Sequence, residues 1–169
     1  ASNGALVWTF YTVPGPGEFG HDTWPEDTSA WRYGGGSVWQ TPASDPELGL
    51  IYFTTGNAGP DLNGAGRPGD NLFTSSVVAL DALTGEYRWH YQMVHHDIWD
   101  YDINSAPTLM DITVDGEEIP ALMQATKMGF LFVVNRETGE DVWPIEERPV
   151  PAGDIEGERY AETQPFPTK

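Results

Sequence analysis

Cysteine is absent from the 169 residues, and only eight lysines and arginines stand against 26 aspartates and glutamates, giving a formal net charge of −18. The missing thiols exclude disulfide bonds, zinc–thiolate sites and a cysteine nucleophile within this sequence. The scarcity of basic residues argues against nucleic acid and anionic membrane surfaces as partners, because both bind through a positively charged face. No run of 18 apolar residues and no signal segment is present.

Helical periodicity is weak throughout, while turn-forming and aromatic residues are abundant. The sequence holds 19 glycines and 14 prolines, and 12% of it is aromatic. This mixture is typical of many short strands joined by tight turns. The chain starts without Met and closes on Gln-Pro-Phe-Pro-Thr-Lys, so we expect residues 1–169 to be a piece of one larger domain.

One phrase occurs twice and indicates a repeated hairpin. The segment Asp81–Trp89 returns 54 residues later as Asn135–Trp143, and a shortened copy, Asn3–Trp8, opens the chain. Asp or Asn followed by Thr-Gly predicts a tight turn, with the Trp on the return strand facing the core. Apolar runs predict strands at 50–55, 77–80, 121–126 and 130–134.

Hairpins that recur at this interval and end in a buried Trp favour a β-propeller. A β-sandwich is the alternative fold, since its strands are also separated by closely spaced turns. About three blades fit into this length, whereas a closed ring needs about 4–8. The sequence therefore predicts an all-β fold that forms part of a propeller.

Three short motifs are better explained by loops than by known sites. Gly64–Gly69 matches the glycine pattern of dinucleotide-binding folds, but no helix is predicted after it. Asp100–Asn104 resembles the start of a calcium-binding EF-hand loop, yet Ser105 stands where that loop needs glycine. His95 and His96 are neighbours, so on a strand they would point to opposite faces and could not share one metal ion. We expect one of them to pack or form hydrogen bonds while the other faces solvent.

The segment Thr84–Asp102 closely resembles the pyrroloquinoline quinone (PQQ)-dependent dehydrogenases, or quinoproteins. In that family the Thr-Gly-x-x-x-Trp phrase is the tryptophan docking motif that ties the blades of an eight-bladed propeller together. The resemblance extends to five further phrases, Pro16–His21, Gly35–Trp39, Thr55–Asn57, Arg67–Asn71 and Gln164–Thr168. It implies that this chain is an internal part of the propeller domain.

The resemblance assigns roles to five residues. Trp39 matches the tryptophan that lies flat under the PQQ ring, and Lys127 matches the cation that hydrogen-bonds the quinone oxygens. Asn57 matches an amide ligand of the metal ion, and Asp100 matches the catalytic base, which also approaches that ion. Asp102 matches an extra carboxylate that some members use to bind a lanthanide. The family's glutamate metal ligand and its adjacent-cysteine disulfide are not found in this sequence.

By resemblance we expect a dehydrogenase that oxidises an alcohol or sugar hydroxyl with PQQ and Ca²⁺, or with a lanthanide in place of Ca²⁺. Electrons would pass to a quinone or a cytochrome c. The location implied is the periplasm, with membrane association through segments outside this chain as a further option. Two alternatives use the same repeat, a non-catalytic propeller scaffold that binds proteins and a glycan-binding or glycan-hydrolysing propeller.

The docking motif also predicts which tryptophan matters for folding. Trp89 should be buried between blades, whereas Trp24 lies in a Pro-rich loop. We therefore expect replacement of Trp89 by Ala to destabilise the fold far more than replacement of Trp24.

Overall fold

The computed structural model describes residues 3–169, which form three antiparallel sheets connected by long loops. Among these residues the only helical elements are two short 3₁₀ turns, His21–Thr23 and Ala30–Tyr33. None of the described helices is both long and apolar enough to span a bilayer. The strands are β1 (Ala43–Asp45), β2 (Leu50–Thr54), β3 (Ser76–Asp81), β4 (Tyr87–Gln92), β5 (Thr108–Val114), β6 (Glu117–Ala125), β7 (Leu131–Asn135), β8 (Ile145–Pro149) and β9 (Thr163–Pro167).

The first sheet has the order β1-β2-β3-β4, in which each strand pairs antiparallel with the next. Its central strand β3 is apolar on both faces because it is covered on both sides. Val77 and Ala79 pack into one cluster with Leu122 and Phe132 of the second sheet, whereas Val78 and Leu80 pack with Phe53 and Phe73. This alternation places β3 at the centre of the fold.

The second sheet has the order β5-β6-β7, and β8 and β9 form a separate two-stranded ribbon. A single bridge between Val134 and Asp141 adds the beginning of a fourth strand to the second sheet. The antiparallel four-stranded sheet and its incomplete neighbour are the units expected of propeller blades. The predicted all-β class and the four predicted strands are thus confirmed.

The repeated phrase forms the same turn twice. The amide of Gly85 donates to the Asp81 carbonyl at 2.9 Å, and the amide of Gly139 donates to the Asn135 carbonyl at 2.8 Å. In each turn the Asp or Asn side-chain oxygen also accepts backbone N–H groups of the turn. Both glycines adopt a positive φ, +74° and +79°, which explains why the phrase requires glycine.

Each turn is the docking platform for a tryptophan from the preceding repeat. Trp8 donates its indole N–H to the Ala82 carbonyl at 3.3 Å, and Trp89 donates to the Arg136 carbonyl at 3.1 Å. Ala82 and Arg136 are equivalent positions of the two copies. The sequence prediction of a docking motif therefore has a direct structural counterpart in this chain.

Two tryptophans differ from what the sequence predicts. Trp24 is only 2% exposed, less than the 6% of Trp89, and its indole N–H donates to the Leu72 carbonyl at 2.5 Å. The expected difference in burial between Trp89 and Trp24 is therefore wrong, because the Trp24 ring packs against Gly34, where an added Cβ atom would collide with it. Trp143 is half-buried and lies between the Val134–Asp141 bridge and β8 rather than on a return strand.

Candidate active site

Three chain segments are held side by side at one end of the first sheet. The segment 34–37 runs beside 56–59, where Gly36 donates its amide to the Asn57 carbonyl and Gly56 donates to the Ser37 carbonyl, both at 2.9 Å. On the other side, the Ile103 amide donates to the Thr55 carbonyl at 3.3 Å. These backbone bonds place the loop that carries Asn57 between the segments that lead to Trp39 and Asp102.

Asp100, Asp102 and Lys127 meet in one cluster, although 25 residues separate the lysine from the nearer aspartate. The Lys127 ammonium forms an ion pair with Asp102 Oδ1. It also donates to the Asp100 backbone carbonyl at 2.8 Å and lies 3.5 Å from Asp100 Oδ2. The lysine reaches this position from the β6–β7 turn, which is closed by a hydrogen bond from the Gly129 amide to the Thr126 carbonyl.

The two carboxylates differ in how much water reaches them. The Asp102 side chain is 9% exposed and the Asp100 side chain is 54% exposed. The hydrogen bond with Asp102 raises the pKa of Lys127 and keeps the ammonium charged at neutral pH. The cluster therefore combines a fixed cation, a buried carboxylate and a second carboxylate that is open to a ligand.

Asn57 lies two residues after Thr55, whose carbonyl accepts the Ile103 amide beside Asp102, and the Asn57 side chain is oriented by hydrogen bonds. Its Nδ2 donates to Asp61 Oδ1 at 2.9 Å and to the Ala58 carbonyl at 3.2 Å. With both amide hydrogens engaged, the side-chain oxygen is the atom left to accept or to bind a cation. Asp61 is a site residue that the sequence motifs do not single out, and the only local signal for this bond is a carboxylate four residues after Asn57 in a turn-rich segment.

Trp39 follows the segment that pairs with the Asn57 loop, two residues beyond Ser37. Its side chain is 54% exposed, which is unusual for so large an aromatic ring. An exposed indole face can stack against a planar ligand. The structure thus ties the backbone of Ser37, two residues before Trp39, to the Asn57 loop and leaves the Trp39 ring exposed.

The donor set suits a hard cation in kind but is incomplete in number. Asp100, Asp102 and Asn57 offer carboxylate and amide oxygens, which Ca²⁺ and similar ions prefer, and such ions take six to eight oxygens. Within residues 3–169 no group of three or more His, Asp or Glu side chains is arranged to hold a metal ion. The oxygens of Asp100, Asp102 and Asn57 are thus of the kind that a hard cation binds, and both carboxylates are paired with the Lys127 ammonium.

The adjacent histidines do not contribute to this cluster. His96 is buried, and its Nδ1 lies 2.8 Å from the Gly69 carbonyl while its Nε2 lies 3.4 Å from Glu158. His95 is partly exposed but also bonded, with Nδ1 2.7 Å from Gln92 Oε1 and Nε2 3.1 Å from Glu147 Oε1. The expectation that one histidine simply faces solvent is therefore wrong, because both form hydrogen bonds. The two rings take separate partners, as expected from their adjacent positions.

Comparison with known proteins gives consistent results over the whole chain. Residues 1–169 match the PQQ family model described as the β-propeller domain of glucose, ethanol and alcohol dehydrogenases. A quinoprotein glucose dehydrogenase from Escherichia coli K12 is 39% identical over 166 residues, which cover 98% of this chain and 20% of that protein.

Two solved structures have the same fold. The quinohemoprotein alcohol dehydrogenase of Pseudomonas putida HK5 superposes with a TM-score of 0.74 at 37% identity, covering 95% of this chain and 25% of the other. A europium-containing methanol dehydrogenase gives a TM-score of 0.71 at 34% identity, covering 92% and 26% of the two chains. The chain thus spans about a fifth to a quarter of the length of these proteins.

Proposed function

This chain belongs to the family of PQQ-dependent dehydrogenase β-propellers, and we propose that its protein oxidises the hydroxyl group of an alcohol or a sugar with PQQ as cofactor. The observation that carries this proposal is the convergence of Asp100 and Asp102 on the Lys127 ammonium. A partly exposed cation flanked by one buried and one exposed carboxylate is suited to a reaction that moves a proton and creates negative charge.

PQQ, when bound, would supply the hydride acceptor for the substrate carbon. Asp100 is the general base, which takes the proton from the substrate hydroxyl, and its exposed side chain is accessible to a ligand. Lys127 provides a fixed positive charge for oxygens that gain electron density during the reaction. Trp39 provides an aromatic face for a planar ring system and keeps water away from it.

Asn57, Asp100 and Asp102 would hold the metal ion, which is Ca²⁺ or a lanthanide. Their oxygens match the preference of hard cations, and the remaining ligands would come from other parts of the protein. The ion would add a second positive charge to that of Lys127 and help to stabilise oxygens that gain electron density during the reaction. The electron acceptor is a quinone or a cytochrome c, and the protein acts in the periplasm.

The test is turnover by the intact protein, reconstituted with PQQ and either Ca²⁺ or La³⁺ and assayed against alcohols and sugars with an artificial dye acceptor. We expect turnover that requires PQQ and falls by about 10²-fold or more in Asp100→Asn, since a general base is lost. PQQ binding should be largely retained in that variant.

A matched control is Asp154→Asn, which changes a carboxylate that is exposed and lies outside the cluster. This variant should keep full turnover. Turnover without any quinone would instead favour a glycan-hydrolysing propeller, and the absence of turnover with all substrates would favour a non-catalytic scaffold.

A further inference from the structure

Asp97 is a completely buried carboxylate in the loop that leads to the proposed catalytic base. Its side chain is 0% exposed, and both oxygens accept backbone N–H groups from the same loop. Oδ1 accepts the Trp99 amide and Oδ2 accepts the Tyr101 amide, each at 2.8 Å. The two amides belong to the residues immediately before and after Asp100, so one carboxylate holds the backbone on both sides of that residue.

The backbone at Asp100 needs such support because it lies in the left-handed region. Asp100 has a φ of +61°, and His96, at the start of the loop, has a φ of +47°. Few non-glycine residues adopt this region, and those that do are held there by their surroundings. Without the bonds to Asp97, the loop could relax to a conformation that presents the Asp100 side chain in another direction.

Asp97 is itself anchored by two groups from another part of the chain. The Ser75 hydroxyl donates to Oδ2 at 3.0 Å, and the buried Arg67 guanidinium donates to the Asp97 backbone carbonyl at 2.5 Å. Burial raises the pKa of the Asp97 carboxyl, while the N–H donors, the Ser75 hydroxyl and the charge of Arg67 act in the opposite direction. A carboxylate with this many partners and no exposure is far better fixed than the exposed side chain of Asp100.

We propose that Asp97 is a positioning residue, which holds the strained backbone at Asp100 and thereby directs the Asp100 and Asp102 carboxylates toward Lys127. The expected effect of Asp97 on catalysis rests on the function proposed above, whereas its expected effect on the loop geometry does not. The proposal predicts that the geometry of the site depends on the acceptor capacity of Asp97 and not only on the stability of the loop.

The experiment compares two variants of the intact protein that disturb the same carboxylate differently. Asp97→Asn preserves the shape but replaces one acceptor oxygen by an NH₂ group, so one of the two loop bonds is lost. Ser75→Ala removes only the third partner and leaves both loop bonds in place. Each variant is examined by hydrogen–deuterium exchange of the protein without PQQ, by thermal unfolding and by dye-linked turnover.

For Asp97→Asn we expect at least one of the Trp99 and Tyr101 amides to exchange about tenfold or more faster, because it loses a buried acceptor. We also expect a loss of about 10- to 100-fold in kcat with a smaller change in KM, as for a misplaced catalytic group. Ser75→Ala should lower the melting temperature but leave the two amides protected and kcat within about twofold.

The outcomes separate the two proposals. Unchanged exchange of both amides in Asp97→Asn would overturn the positioning role. Equal losses of kcat in the two variants at matched stability would also overturn it, because the effect would then follow stability alone. Faster exchange in Asp97→Asn, combined with full activity of Asp100→Asn, would confirm that Asp97 holds the loop while refuting the function assigned to Asp100.

Discussion

Asp100 and Asp102 both form ion pairs with Lys127 but differ in solvent exposure. We therefore expect them to affect the binding of a metal ion differently. The Asp102 side chain is 9% exposed and that of Asp100 is 54% exposed. A buried carboxylate interacts more strongly with a cation because little water screens the pair, and the interaction grows with the charge of the ion. Asp102 should therefore matter more for a trivalent ion than for Ca²⁺.

We predict that Asp102→Ala weakens activation by La³⁺ at least about tenfold more than activation by Ca²⁺, since one anionic oxygen ligand is lost. The measurement is turnover of the metal-stripped intact protein during titration with each ion. Asp154→Ala serves as a control for the loss of an exposed carboxylate. Identical metal profiles for Asp102→Ala and the unaltered protein would leave Asp102 with a structural role only.

His90 on β4 makes stability depend on pH. Its ring packs edge-on against buried Phe73 at a centroid distance of 4.9 Å, and its Nδ1 lies 2.7 Å from the Tyr87 hydroxyl. Burial lowers the pKa of His90 from 6.5 to about 4. The unfolded chain therefore binds a proton between these two pH values that the folded protein does not bind, and stability falls as the pH drops from about 6.5 to about 4.

We expect His90→Phe to remove this part of the pH dependence while keeping the aromatic contact with Phe73. The unaltered protein should lose about 1–3 kcal/mol of stability through this group between pH 7 and pH 4. The variant lacks the group, so its total loss of stability over this range should be smaller by about that amount. Chemical denaturation at several pH values measures the difference. Parallel pH profiles for the two proteins would contradict the prediction.

For single residues, the sequence predicts which side chains form the candidate site better than it predicts which side chains are buried. Asp100, Asp102 and Lys127 stand in phrases that resemble one family, and the structure brings all three together. The burial of Trp24 is not predictable from the residues around it because its hydrogen-bond partner, Leu72, is 48 residues away. The sequence does not single out Asp97, since nothing local shows that its oxygens accept two amides further along the chain.

The repeated turn is the element that ties one sheet to the next. Its glycine meets two requirements, a left-handed backbone conformation and space for the docked indole. Gly139 has a φ of +79°, and a Cβ atom added there would lie 2.8 Å from Trp89 Cδ2. The equivalent Gly85 has the same relation to Trp8, where the added atom would lie 2.5 Å from Cδ2. The tryptophan can therefore dock only on a turn that has no side chain at this position.

The chain provides a control that separates these two requirements. Gly129 also has a φ of +79°, but an added Cβ would have no atom within 4 Å. We predict that Gly129→Ala costs about 1–2 kcal/mol for the left-handed conformation alone. Gly139→Ala should cost a further 1–3 kcal/mol or so because the docked indole must shift.

Thermal or denaturant unfolding of the intact protein measures both variants. A Trp89→Ala change should cost about 3–5 kcal/mol, and combining it with Gly139→Ala should add less than the sum of the two single effects. Equal destabilisation by Gly139→Ala and Gly129→Ala would show that the turn conformation matters and that the docked tryptophan does not.

Elements with two buried faces were predictable, and short or exposed elements were not. The strands β2, β3, β6 and β7 carry continuous apolar runs, because both faces are covered over much of their length. By contrast, β1 has only three residues, and four of the five residues of β8 are exposed. Their sequences carry little hydrophobic pattern, so their existence depends on pairing with a partner strand.

Across the whole molecule, Arg136 connects the first sheet to the second. Its Nε lies 2.6 Å from Asp45 Oδ2 on β1, and its Nη1 lies 2.7 Å from Asp111 Oδ1 on β5. Its backbone carbonyl accepts hydrogen bonds from the Tyr52 hydroxyl and the Trp89 indole, at 2.9 Å and 3.1 Å. One residue of the repeated turn therefore takes part in most of the polar contacts that join the two sheets.

The charge pair of Arg136 with Asp45 should contribute more than an ordinary surface pair. The Asp45 side chain is 7% exposed and that of Arg136 is 13% exposed. Removing the guanidinium would leave a nearly buried carboxylate without its cation, which typically costs about 3–5 kcal/mol. Arg148 and Glu146 form a comparison pair within β8, in which the side chains are 49% and 56% exposed.

We therefore predict that Arg136→Met destabilises the intact protein by about 3 kcal/mol at pH 7, whereas Arg148→Met changes stability by less than about 1 kcal/mol.

Arg136 lowers the pKa of Asp45 below its ordinary value of 3.8. The stability gained from this pair is thus complete above pH 4 or so and is lost as the pH falls through the lowered pKa. The gap in melting temperature between Arg136→Met and the unaltered protein should narrow below about pH 4, because a protonated Asp45 no longer needs a cation. A gap that stays constant from pH 7 to pH 3 would mean that Arg136 joins the sheets through packing and backbone contacts rather than through its charge.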